Sequence, residues 1–298
     1  QRLKRMPTII DKLRRYPSMQ LTRMQDIGGV RAILGSVKDV YNLANDYRNN
    51  KFFLHELYNE KDYIKTPRNV DGYRSLHLMY KYKNQLVPGY NNLRIELQIR
   101  TKLQHIWATA VETMGTFLGQ ALKSRQGDKE WLDFFATVSS AFACMEKTAV
   151  LPRHERMSKN EIFNAVAEAE NKLSALDIMS GFYTAAKEIS KRSSNKGWSY
   201  HLIILNSIQR TVQVIPFNRD ELDKAVKAYS KIEAEAVRGK KIEPVLVSAG
   251  PLNTLKHAYP NFFLDISEFF DAVNSIVRKQ KIYNLSRQKK VKTTRKYH

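Results

Sequence analysis

The sequence predicts an α+β protein built of two mixed parts joined by a helical middle. Three patterns carry that expectation. In the first part, strand-like segments give way to a helical stripe between residues 99 and 101. In the last part, the order strand, strand, helix, strand, helix describes a small separate α+β unit. Between them runs a stretch with helical period only, closed by RSSNKG (192–197), a linker by composition.

Residues 6–15 (MPTIIDKLRR) predict a short helix with Ile9, Ile10 and Leu13 on one side and basic residues on the other. Segment 29–35 (GVRAILG) reads as a buried strand bounded by glycines. Asp39 is the expected cap of a helix carrying Val40, Leu43, Ala44 and Tyr47. Segments 75–82 and 93–99 alternate apolar and polar residues, with the turn VPGYNN between them. From 101 to about 122, Leu103, Ile106, Trp107, Ala110, Met114 and Phe117 form one helical stripe. A second helix is expected from Gly127-Asp128 to about Glu146, broken by Pro152. One long helix is expected over 160–191, capped by Ser158 or Asn160. Strands at 199–205 and 211–216, a helix at 220–236, a strand at 242–248 and a helix around 262–278 complete the chain.

The 298 residues are 43% hydrophobic, enough for a real core, and Cys144 alone excludes a disulfide-stapled fold or a multi-cysteine zinc site. No apolar run approaches the roughly 20 residues that span a bilayer, so no membrane contact is expected and the bacterial cytoplasm is the expected location. Lys plus Arg is 50 against 29 Asp plus Glu, a net charge of +21. Such an imbalance points to anionic partners such as nucleotides or RNA. It is uneven: the first 15 residues hold Arg2, Lys4, Arg5, Lys12, Arg14 and Arg15, and the tail 278–298 has no acid at all.

Two acids stand where acids are rare. Asp26 immediately precedes the strand at 29–35, and Glu96 lies in the middle of the strand at 93–99. Two carboxylates from neighbouring strands suit a Mg²⁺ ion that also touches phosphate oxygens. Arg2, Lys4, Lys12, Arg14, Arg31, Arg74 and Arg100 supply a cationic surround, as phosphoryl transfer requires. No GxxxxGK[ST] loop occurs, which excludes a Walker-type ATPase.

In order, the chain reads Arg2-Leu3-Lys4, Lys12-Leu13-Arg14, Asp26-Ile27-Gly28-Gly29-Val30-Arg31, Asp62-Tyr63-Ile64, Gly72-Tyr73-Arg74-Ser75-Leu76-His77, Glu96-Leu97-Gln98-Ile99-Arg100-Thr101 and Trp107-Ala108-Thr109. This succession resembles the synthetase domain of the RelA/SpoT alarmone synthetase family, in its small single-synthetase form. The resemblance covers roughly residues 1–125. It implies a nucleotidyltransferase-like mixed sheet and transfer of the β,γ-pyrophosphate of ATP to the ribose 3′-hydroxyl of a guanosine nucleotide, releasing AMP. Carried over by position, Arg2, Lys4, Lys12, Arg14 and Arg31 would bind ATP. Asp26 would hold Mg²⁺, and Glu96 would hold it or take the proton of the 3′-hydroxyl. Arg68, Tyr73, His77 and Gln98 would bind the acceptor, with Tyr73 stacking on its base and His77 at its phosphates.

The expected organisation is a synthetase domain over 1–150, a helical connector over 151–194, an accessory or regulatory α+β domain over 195–277 and a basic tail over 278–298. Three features depart from the family pattern: a longer loop KTPRNVD with Asp71 where many members carry Asn, Glu112-Thr113 in place of a Glu-His pair, and the extra domain itself. They leave other readings open. One is a toxin that modifies the 3′ end of tRNA, one is an adenosine-alarmone synthetase, and one is a basic RNA-binding module with a degenerate synthetase fold. A homo-oligomer or a regulatory partner is compatible with each.

Overall fold

The computed structural model describes residues 2–3, 6–21, 24, 27–50, 53–117, 129–192, 198–206, 209, 211–238, 240, 242–248 and 262–294. Two compact units emerge, both discontinuous in sequence. The first is Gln1–His105 with Phe142–Glu155, and the second is Ile106–Ala141 with Arg156–His298.

The first unit is a five-stranded mixed sheet. Its strands are β1 (Arg2–Leu3), β2 (Gly28–Leu34), β3 (Glu56–Asp62), β4 (Leu76–Lys81) and β5 (Arg94–Thr101), in the order β1-β2-β5-β4-β3. Only β2 and β5 run parallel. Helix α1 (Met6–Arg15) buries Ile9, and α2 (Val37–Asn49) connects β2 to β3. Ser36, not Asp39, caps α2. Its hydroxyl accepts from the Asp39 backbone N–H at 3.2 Å and donates to the Asp39 carboxylate at 2.7 Å. Val40 and Ala44 of α2 pack on Ile64, Leu76, Leu78, Tyr80, Leu97 and Ile99, which form the core on one sheet face. Pleating then sends the alternate residues of β2, β4 and β5 to the opposite face. Arg31, His77, Glu96 and Gln98 belong to that second set, since His77 and Arg31 both register with Gln98.

Strand β3 is an element that the sequence pattern did not predict. ELYNEKD is polar at nearly every position, because β3 is an edge strand with a bulge between Leu57 and Asn59. The segment Phe142–Glu155 belongs to this unit as well. Arg74 Nη1 donates to the Ala149 carbonyl at 2.6 Å, and Glu146 accepts from Thr101 Oγ1 and, at 2.9 Å, from Gln104 Nε2.

The second unit contains most of α3 (Lys102–Phe117) and α4 (Lys129–Glu146), followed by α5 (Lys159–Leu173) and α6 (Ala175–Arg192). Trp107 Nε1 donates to the Phe135 carbonyl at 2.8 Å, tying α3 to α4. The single helix expected over 160–191 is two helices. Ser174 adopts a left-handed conformation (φ 49°) and ends α5, whose start carries a capping box of Ser158 and Glu161.

A three-stranded antiparallel sheet follows, formed by β6 (Trp198–Asn206), β7 (Thr211–Asn218) and β8 (Ile242–Ser248) in the order β7-β6-β8. Leu202 and Ile203 point to opposite faces of β6 and are both fully buried, because α6 covers the sheet and so does α7 (Leu222–Val237). Helix α8 (Phe262–Thr294) buries Ile266, Phe269, Val273, Ile276 and Val277 and packs on α5. The basic tail is therefore helical backbone to residue 294. Among the described residues, no helix is long and apolar enough to cross a membrane.

Candidate active site

The polar sheet face of the first unit gathers the predicted acceptor residues into one hydrogen-bonded cluster. His77 on β4 stands at its centre. Its Nδ1 lies 2.8 Å from Glu96 Oε1 on β5, and its Nε2 lies 2.9 Å from Tyr73 Oη. Gln98, two residues along β5, donates to Glu96 Oε2 at 2.7 Å. Burial alone would push the imidazole down. The Tyr73 oxygen and the Glu96 carboxylate outweigh it and hold His77 up at about 9. A charged His77 donates from both ring nitrogens, so both N–H groups are engaged within the cluster. The expected contact with acceptor phosphates has no ring nitrogen left to make it in this arrangement.

The loop between β3 and β4 builds the outer part of the cluster. Asp62 organises its start, accepting from the backbone N–H groups of Ile64 and Lys65 at 3.0 and 2.9 Å and from Tyr41 Oη at 2.9 Å. Further along, Gly72 N donates to the Arg68 carbonyl at 2.8 Å with φ 79°, a left-handed value that favours glycine. This turn brings Asp71 under Arg68. The carboxylate accepts from Arg68 Nε at 3.1 Å, from Arg68 Nη2 and from the Tyr73 backbone N–H at 3.1 Å. The guanidinium carbon sits 4.6 Å from the centre of the Tyr73 ring. Tyr63 meets both Tyr73 and His77 edge-on, at 5.7 and 5.2 Å. From the sequence Asp71 entered only as a departure from the family pattern, and Tyr63 only as part of a quoted motif. The opposite charges of Arg68 and Asp71 three residues apart were the available signal.

The predicted donor-side residues are placed less completely. Arg31 is half-buried and shares the polar face with Gln98 and Glu96, Lys12 is half-buried on α1, and Arg14 is exposed there. For Arg2 only its backbone pairing with Gly29 is described. Lys4 and Asp26 lie outside the described residues. Arg74 and Arg100, counted from sequence as part of the cationic surround, are interior instead. Arg74 reaches the Ala149 carbonyl, and Arg100 lies 2.5 Å from His105 Nδ1. Among the described residues, no group of three His, Cys, Asp or Glu side chains could hold a metal ion. Glu96 contributes one hard carboxylate on the polar face, a donor suited to a cation that takes its other ligands from phosphate.

These features define a class: a mixed sheet with one apolar, helix-covered face and a charged, acid-centred face crossed by His77 and Glu96. The family model described as "Region found in RelA / SpoT proteins" matches residues 1–115. The N-terminal part of the chain is thus similar to the RelA/SpoT region, in line with its motifs. GTP pyrophosphokinase YwaC of Bacillus subtilis (strain 168) is 34% identical over 113 residues, covering 36% of this chain and 52% of the relative. GTP pyrophosphokinase YjbM of the same organism is 34% identical over 110 residues, covering 36% and 51%. The chain spans about half the length of these curated relatives. A solved structure, small alarmone synthetase 1 from Bacillus subtilis, is 28% identical, with 49% of this chain and 73% of that chain covered at a TM-score of 0.41.

Proposed function

We propose that the first unit transfers the β,γ-pyrophosphate of ATP to the ribose 3′-hydroxyl of a guanosine nucleotide. The observation that carries this reading is Glu96, held on the polar face by His77 and Gln98 within a RelA/SpoT region. The 3′-oxygen forms a bond to the β-phosphorus, the bond from that phosphorus to the α-phosphate oxygen breaks, and AMP leaves. The proton of the hydroxyl goes to the Glu96 carboxylate, which the His77–Glu96 pair keeps in one orientation. Arg31, Lys12 and Arg14, with Arg2 and Lys4, are the proposed ATP-binding cations, neutralising its phosphates. Glu96, with Asp26 as second ligand, would hold a Mg²⁺ ion, which when bound neutralises developing charge on the transferred group.

Incubation with γ-labelled ATP, Mg²⁺ and GDP or GTP tests the reading. Label is expected in a guanosine nucleotide together with AMP, and Glu96→Ala is expected to lower turnover by about 10²–10³-fold. Absence of transfer to any acceptor would refute it.

One observation favours a second acceptor, the 3′ end of tRNA. The last part of α8 continues as helix into a segment with no acidic residue after Asp271. Its basic residues cluster at 278–281, 287–292 and 295–296, a charge density that suits phosphate contacts. If tRNA is the acceptor, deleting 278–298 should weaken tRNA binding in a salt-dependent manner and leave transfer to free nucleotides unchanged. Gel-shift titration and the labelling assay read the two effects separately.

A further inference from the structure

The hairpin that joins β4 to β5 ends in an apolar tip. Leu86 is 91% exposed and Tyr90 60%, with Val87 and Leu93 exposed beside them. A single surface leucine needs no account, but four large apolar residues within eight positions do. The tip is also braced from inside. Tyr82 N donates to the Leu93 carbonyl at 2.8 Å, Asn92 N to the Tyr82 carbonyl at 2.9 Å and Asn91 N to the Pro88 carbonyl at 3.0 Å, closing a 3₁₀ turn at Pro88–Tyr90. Asn91 Oδ1 accepts from the Asn84 N–H at 2.7 Å, and Asn84 Oδ1 accepts from the Leu86 N–H at 2.8 Å. These donors stay satisfied when the turn leaves water.

Cations collar the base of the tip. Lys81 and Arg94 pair across the two strands, Lys83 follows, and residues 72–95 hold no Asp or Glu. Glu56 on β3 takes both lysines at 2.9 Å, which leaves this collar of three cations and one acid net positive. We propose that the tip seats in the surface of an anionic lipid bilayer, with Leu86, Val87 and Tyr90 at the boundary of headgroups and acyl chains and the collar at the headgroup phosphates. Aliphatic side chains foremost, an aromatic ring beside them and Lys or Arg behind is the order of depth that this boundary favours. The net charge of +21 adds attraction to anionic lipid. Three of the four apolar residues are aliphatic and offer a nucleic acid no ring to stack on. A protein partner adding a strand would need free backbone groups, and the turn has used these donors itself. The expectation of no membrane contact rested on the lack of a spanning run, which a surface-seated tip does not need. Strand β5 runs from the tip to Glu96, about 10 Å beyond Leu93. Seating the tip would therefore hold the polar face beside the bilayer, whichever acceptor that face serves.

Flotation of the full chain with vesicles of phosphatidylcholine and phosphatidylglycerol tests the proposal, and a fluorophore locates the contact. In a Cys144→Ser background, Tyr90→Cys carrying an environment-sensitive dye is expected to shift to the blue with these vesicles and to be quenched by brominated acyl chains. Leu86→Asp is expected to abolish the shift and to weaken vesicle binding by about 10-fold or more, the size of one lost apolar side chain. Lys83→Ala is expected to cause a smaller loss that fades at high salt. Both positions are on the surface, and thermal melts of the variants should match wild type. Flotation of unlabelled Leu86→Asp carries the test should the labelled chain bind poorly. Undiminished vesicle binding by Leu86→Asp, with no shift at position 90, would overturn the proposal and assign the contact to other basic segments such as 278–298. Failure of the wild-type chain to float with anionic vesicles at low salt would overturn it too, and leave the tip to a protein partner.

Discussion

His77 holds two acceptors at once, and the charge that results can be measured. In the metal-free protein its ring should titrate near 9 by NMR, well above the ordinary 6.5. Glu96→Gln removes the carboxylate and leaves burial to dominate, so the titration should fall sharply. The sign for stability follows from linkage. The folded chain holds this proton more tightly than the unfolded chain does, so the pairing contributes fully below pH 6.5 and its contribution is lost as pH rises through about 9. Urea melts across that window should show the loss in wild type and little of it in Glu96→Gln. At this scale the sequence was partly legible. Strand alternation put Glu96 and Gln98 on one face, and the family motifs drew attention to Tyr73 and His77. The Asp71–Arg68 grip was not legible, because it depends on a left-handed Gly72 that closes the loop.

The strand pair β2–β5 is where element geometry governs the site. Gly29 registers with Glu96, and a Cβ at Gly29 would lie 2.6 Å from the Glu96 carbonyl oxygen. A backbone oxygen inside a ladder yields only if the strands part. Gly29→Ala should therefore lower stability by about 1–3 kcal/mol in a denaturant melt and disturb the Glu96 position at the same time. Strands β2, β4 and β5 and helix α2 were readable because one face of each is buried and leaves a period in the sequence. Strand β3, wet on both sides along most of its length, leaves none. The break at Ser174 was hidden because apolar residues continue on both sides of it, and only the backbone angle marks the change.

At the scale of the whole molecule, the family match and the compact unit do not share a boundary. The match ends at residue 115, whereas the unit that holds the candidate site takes in Phe142–Glu155 as well. A fragment ending at 115 would lose the Ala149 carbonyl that receives the buried Arg74 guanidinium and the Glu146 carboxylate that receives Thr101 and Gln104. Removing partners from buried polar groups costs about 1–3 kcal/mol each. Such a fragment should express poorly or melt early by circular dichroism, while one carried to residue 155 keeps those partners.

Gene designers who trim this protein at the edge of its recognisable motif would thus amputate a strut. An insertion or a protease cut around residue 149 would reach the strands that carry His77 and Glu96 through Arg74 and Thr101, although it lies roughly fifty to seventy positions downstream of them in the chain.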